Sequence, residues 1–149
     1  MVINDTLGFL VGRWNLTRSL EDHRSGIAGS FEGNAVLAEA PPDPGLSAGA
    51  RAHYQETGEL RFGCHRGPAQ RSLEYTRQDN GIVMLHFTDG HYYADLDLSS
   101  GVWRATHLCG DDHYEITTFV RSRDVVQEHW RVRGPAKDYD AMATLLRTD

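Results

Sequence analysis

The chain has 149 residues, enough for one domain whose core holds without disulfide staples. Its 15 basic and 21 acidic residues leave a formal charge of −6, and no run of Lys or Arg offers a surface to nucleic acid or an anionic membrane. The two cysteines, Cys64 and Cys109, cannot build a disulfide framework, and no apolar run approaches the ~18 residues of a membrane helix.

Residues 4–11 read as a short helical turn, capped by Asn4 or Asp5, with Leu7, Phe9, Leu10 and Val11 forming an apolar plug. From Trp14 the pattern switches to period two. Trp14, Leu16, Arg18 and Leu20 share one face, and the opposite face (Arg13, Asn15, Thr17, Ser19) is uniformly polar. The first face therefore points inward and carries Arg18 with it.

A second strand over 27–39 alternates Phe31, Gly33, Ala35 and Leu37 with polar residues; small inward residues suit a tightly curved barrel. The Pro- and Gly-rich stretch 40–47 is a loop, longer than a hairpin needs, either solvated or a portal lid. The third strand, 51–62, places Tyr54, Glu56, Gly58, Leu60 and Phe62 inward, and the fourth, 69–77, places Arg71, Leu73 and Tyr75 there. Strands at 82–88 and 91–98 flank Asp89-Gly90, a strong hairpin signal, but both of their faces are apolar and the inward one stays undecided.

The seventh strand, 102–109, turns Trp103, Ala105, His107 and Cys109 inward. The eighth turns Tyr114, Ile116, Thr118 and Val120 inward, and the ninth Val126, Glu128, Trp130 and Val132. After Gly134-Pro135, residues 139–147 form a closing strand, with a helix over 138–147 as the alternative. The expectation is an all-β single domain over 1–149, a ten-stranded antiparallel barrel with a helical turn plugging one end. A closed barrel leaves no edge strand, so the chain is a monomer or a homodimer formed through faces or loops. No basic-plus-apolar leader is present, which fits a cytoplasmic protein.

Gly12-x-Trp14 together with Arg147 resembles the calycins, the superfamily of lipocalins, fatty-acid-binding proteins and nitrobindins. That resemblance implies that Arg147, from the last strand, packs across Trp14 and closes the barrel floor. Phe9-Leu10-x-Gly12-x-Trp14, Gly58-Glu59-Leu60 and Trp130-Arg131-Val132-x-Gly134-Pro135-x-Lys137-Asp138-Tyr139 further resemble a small, mostly bacterial family of unknown function. That family implies no activity.

The inward set holds Arg18, Tyr54, Glu56, Arg71, Tyr75, His107, Tyr114, Glu128 and Trp130, with Trp103 as an apolar wall. Buried charges must pair, hydrate or hold a ligand. Two Arg against two Glu can form a satisfied network with trapped water. Alternatively, Arg18 and Arg71 with Tyr54 or Tyr75 clamp the carboxylate of a small, partly apolar ligand, as the fatty-acid-binding resemblance implies. His107 and Glu128 are the candidate acid–base pair for a small isomerase, cyclase or hydrolase. By the nitrobindin resemblance, His107 is also the candidate axial ligand for haem. His53, His113 and His129 fall on outward faces. Cys64-His65 and His107-x-Cys109 lack the spacing of a zinc site, and no glycine loop has the strand-to-helix context for phosphate.

Overall fold

The computed structural model describes residues 2–41 and 49–148. One short helix, α1 (Thr6–Leu10), precedes ten strands: β1 (Gly12–Asp22), β2 (Ala28–Glu39), β3 (Arg51–Phe62), β4 (His65–Arg77), β5 (Val83–Phe87), β6 (Tyr92–Leu96), β7 (Val102–Cys109), β8 (Asp112–Ser122), β9 (Val125–Arg133) and β10 (Asp138–Arg147). The portal-lid reading of the 40–47 stretch falls largely on 42–48, outside the described residues.

All pairings are antiparallel, in the order β6-β5-β4-β3-β2-β1-β10-β9-β8-β7. The meander is joined to itself where β10 pairs with β1, Trp14 opposite Arg147. Residues 138–147 are therefore strand, held between β1 and β9; two ladders outweigh the weak helical period. β4 begins at His65, earlier than the sequence suggests, after a tight turn at Gly63 (φ +59°). Pro68 is tolerated there because β5 pairs only with residues 73–77, so the start of β4 is an edge on that side.

Inward residues follow the expected parity. Trp14, Leu16, Arg18, Phe31, Ala35, Leu37, Tyr54, Glu56, Leu73 and Tyr75 are all buried. The undecided strands resolve to Val83 and Leu85 on β5, and to Ala94 and Leu96 on β6. Gly33 lies opposite Gly58, and a Cβ on either would collide with the partner backbone, at Thr57 O or Glu32 O. This close approach lets β2 and β3 coil tightly at that level.

α1 closes one end. Asp5 caps it by accepting a hydrogen bond from Gly8 N at 3.1 Å, and Leu7 and Leu10 are buried in the core. Trp14 Nε1 donates to Leu10 O at 2.9 Å. The Arg147 guanidinium lies 4.1 Å from the Trp14 ring and donates to Phe9 O at 2.8 Å. The barrel floor is thus built as the Trp14–Arg147 resemblance implies.

The expectation of a barrel without edges needs correction. Among the described residues no ladder joins β6 to β7, so the barrel is nearly closed, with a seam. Trp103 crosses the gap, its Nε1 donating to Asp95 O at 3.0 Å and reaching Asp95 Oδ1 at 3.3 Å.

Candidate functional site

The interior polar residues gather around Glu56. Arg18 Nη1 donates to its Oε2 at 2.8 Å and Nη2 to its Oε1 at 3.2 Å. Arg71 Nη2 and the Tyr54 hydroxyl donate to the same Oε1 at 3.1 and 2.9 Å. The register explains the meeting: Glu56 lies directly opposite Arg71 across the β3–β4 ladder. Arg18 reaches Glu56 from β1, over the small residues of β2. Both guanidinium carbons lie over the Trp130 ring, at 4.4 Å for Arg18 and 4.9 Å for Arg71. Burial pushes the Glu56 carboxyl up, but the Arg18 hydrogen bonds and the Arg71 charge outweigh it and hold its pKa below the ordinary value.

The carboxylate clamp foreseen for Arg18, Arg71 and Tyr54 is therefore already filled by the chain's own Glu56. The formal balance of two Arg against two Glu does not become two pairs. Among the described residues no hydrogen bond or ion pair reaches the Glu128 carboxyl, and burial pushes its pKa up against the pull of Arg71 and Arg18. The Nε groups of Arg18 and Arg71 and the Trp130 indole N–H are buried without a hydrogen-bond partner among the described residues. The cluster thus pairs two guanidiniums with one carboxylate and keeps spare donors.

Glu128 lines a cavity beside this cluster. Tyr54, Tyr75, Tyr93, Trp103, Ile116 and Thr118 share the lining, and Leu10, Trp14 and Leu37 form its floor. The space left for water is about 60 Å³, room for about two molecules at ~30 Å³ each. The Tyr54 and Tyr75 rings stack at 5.6 Å between centroids, and burial pushes both hydroxyl pKa values well up, so both remain donors at neutral pH.

His107 and Tyr114 lie elsewhere. His107 is turned toward the interior but stands at the rim, its ring 5.7 Å from Tyr93 and 5.6 Å from Tyr114. It lines a shallow hollow with Phe87, Tyr92 and Leu108 rather than the inner cavity. Partial burial lowers its pKa. Tyr114 accepts a hydrogen bond from Lys137 Nζ at 2.7 Å. The structure thus does not bring His107 to Glu128, and the acid–base pair foreseen from the sequence is not assembled. The inner cavity, at about 60 Å³, is far too small for a haem macrocycle, and His107 faces the open hollow at the rim instead. His53 and His129 sit on the outer surface, paired with Glu74 and Asp140. Cys64 and Cys109 are free and exposed, and among the described residues no cluster of three or more metal-binding side chains occurs.

Tyr93 is the site residue that sequence reasoning missed. The β5–β6 register shifts between Leu85 and His86, so that His86 pairs with Tyr92 and Leu85 with Ala94. Tyr93 is the extra residue of this bulge and turns toward the core although its parity is outward. Its ring centroid lies 5.9 Å from the Arg71 guanidinium.

Residues 10–147 match the model of a family of unknown function, DUF6314. No curated protein matches the chain. Among solved structures the chain is similar to the S-type phycobiliprotein lyase CPES of Guillardia theta, with a TM-score of 0.57 and 10% identity over 100% of this chain and 94% of that one. It is also similar to a protein of unknown function from the DUF3598 family of Nostoc punctiforme, with a TM-score of 0.60 and 11% identity over 99% of this chain and 50% of that one. At such identities the likeness is one of fold.

Proposed function

We propose a function for a chain that belongs to the DUF6314 family of unknown function: its barrel binds one small, partly apolar organic acid as the anion. The observation that supports this reading is the Glu128 carboxyl, unpaired among the described residues, in a mostly apolar cavity beside a cluster in which Glu56 is the carboxylate already committed. Burial favours the protonated form of Glu128, which leaves Arg18 and Arg71 with one charge to be met. A ligand carboxylate in the cavity accepts the Glu128 O–H and balances the charge of the neighbouring guanidiniums. Trp103, Ile116 and the two stacked tyrosines hold its apolar body. The present free volume admits only a small or flat ligand unless Trp103 moves.

Titration calorimetry with matched acids and amides tests the reading: benzoate against benzamide, and hexanoate against hexanamide. The acid of at least one pair should bind ten-fold or more tightly than its amide, and Arg71→Met should remove that preference. Equal binding of acid and amide, or no binding in either pair, overturns the anion reading.

A further inference from the structure

We propose that the seam between β6 and β7 is the entrance to the cavity and that Trp103 is its latch. The cavity lining is the first observation. On β6 it includes the consecutive residues Tyr93, Ala94, Asp95 and Leu96. A strand wall shows an enclosed lumen only alternate residues. Tyr93 enters the lining through the bulge, but Asp95 has outward parity and borders the cavity at the unpaired edge of β6. On the other side of the gap it is lined by Trp103 and Ala105 of β7.

Both barrel ends offer poorer routes. At one end α1 is sealed by Leu7, Leu10 and Trp14, each 9% exposed or less, and is tied down by Arg147 and by Leu98 N donating to Thr6 Oγ1 at 2.9 Å. Toward the other end, the Arg18–Glu56–Arg71 cluster and Trp130 cross the interior, with Phe31 against Arg18. Opening any laddered strand pair breaks a row of backbone hydrogen bonds. Opening the seam breaks no ladder among the described residues.

The hydrogen bonds found across the seam are those of the Trp103 indole to Asp95. Trp103 is only partly buried, and it is also a cavity wall. One rotation of this side chain therefore both releases the gap and enlarges the space behind it, which suits a cavity now too small for most organic acids. The inference gives the ligand site its route, and so rests on the reading of the cavity as a binding site. Access can nevertheless be measured without any ligand.

The test is cysteine labelling. Cys64→Ser and Cys109→Ser remove the exposed thiols, Thr118→Cys places one thiol in the cavity, and methyl methanethiosulfonate is the probe, read by mass. In this background Trp103→Phe, which keeps a ring but loses the N–H, should speed labelling at least ten-fold. Asp95→Ala, which leaves the backbone acceptor, should speed it a few-fold. Phe9→Ala at the plug and Phe31→Leu toward the far end should leave the rate unchanged. An unchanged rate in Trp103→Phe, or acceleration by either end variant instead, overturns the proposal.

Should Trp103→Phe not fold, amide exchange of the unaltered chain decides. The amides of Tyr93–Leu96 should exchange at least a hundred-fold faster than those of Leu16 and Arg18 on β1. Equal protection overturns the proposal. Labelling through the seam together with no acid binding would reject the ligand reading while leaving the entrance in place.

Discussion

Arg18 and Glu56 form a two-bonded ion pair inside the barrel, at 2.8 and 3.2 Å, with side chains 9% and 3% exposed. Such a pair contributes little over an apolar packing of equal volume, but removing one partner strands the other charge. Here one carboxylate serves two guanidiniums, so the asymmetry is sharper. Glu56→Gln should cost about 3–5 kcal/mol, measured by urea unfolding at neutral pH. Combining Arg18→Met with Glu56→Leu should recover part of that loss. The folded-state pKa of Glu56 is depressed, so its contribution is complete above the unfolded value of ~4.3 and is lost as pH falls through the lower folded value. A cost below about 1 kcal/mol for Glu56→Gln would show that water or rearrangement replaces the carboxylate.

Arg147 makes the second long-range tie. Its guanidinium lies 4.1 Å from the Trp14 ring and donates to Phe9 O at 2.8 Å and Arg123 O at 3.1 Å. It thereby joins β10 to α1 and to the β8–β9 turn. Lys lacks the planar group that stacks on Trp14 and the further donors that reach Arg123 O through Nε and Val11 O through Nη1. Arg147→Lys should cost about 2 kcal/mol, summing one partly buried cation–π contact and one lost charged hydrogen bond. The amides of α1 should then exchange faster than those of β3. Retention of full stability would make the floor contact incidental.

The fold was legible because binary patterning carries it: one polar face on the first strand fixes the inward parity of Arg18, and the same alternation fixes Glu56, Arg71, Glu128 and Trp130. The site was legible only as an inventory. Parity says which side chains enter the lumen, but not that Glu56 would take both arginines and leave Glu128 alone, because that depends on register and shear between strands far apart in sequence. His107 shows the same limit: its inward parity was correct, but its height along the barrel places it at the rim. Tyr93 lies on a strand whose two faces are both apolar, so no parity could be read there, and the bulge that turns its ring inward has no local signal. The seam is a matter of how β6 and β7, the two ends of the strand order, meet across the barrel, which no local pattern encodes.

On the outer surface, Asp140 bridges two histidines, with His23 Nε2 at 2.6 Å and His129 Nε2 at 2.7 Å. The hydrogen bond to Asp140 raises the His23 pKa, and the same contacts lower that of Asp140. A raised histidine contributes stability that is complete below ~6.5 and is lost as pH rises through its folded value. Asp140→Asn should return His23 to an ordinary titration, followed by proton NMR of its ring. The stability difference from the parent should be larger at pH 5.5 than at pH 8.5. An unshifted His23 in the parent would mean that the bridge does not form in solution.

Glu128 provides the decisive pH experiment. Its folded-state pKa is raised by burial, so the folded chain holds a proton that the unfolded chain releases above ~4.3. Parent stability should therefore fall as pH rises from that value through the folded pKa. Glu128→Gln keeps the shape and removes the titration. It should match the parent near pH 4 and exceed it at pH 8 by about 1–3 kcal/mol, the range for a buried polar group lacking partners. Acid binding follows the same proton. If the ligand carboxylate accepts the Glu128 O–H, parent affinity should drop up to ten-fold per pH unit above the folded pKa, and Glu128→Gln, still a donor, should abolish that slope. Above the folded pKa, calorimetry in buffers of different ionisation enthalpy should then detect proton uptake on binding to the parent and none to the variant. Pre-bound protons with no pH slope would place the ligand head against Arg71 alone, away from Glu128.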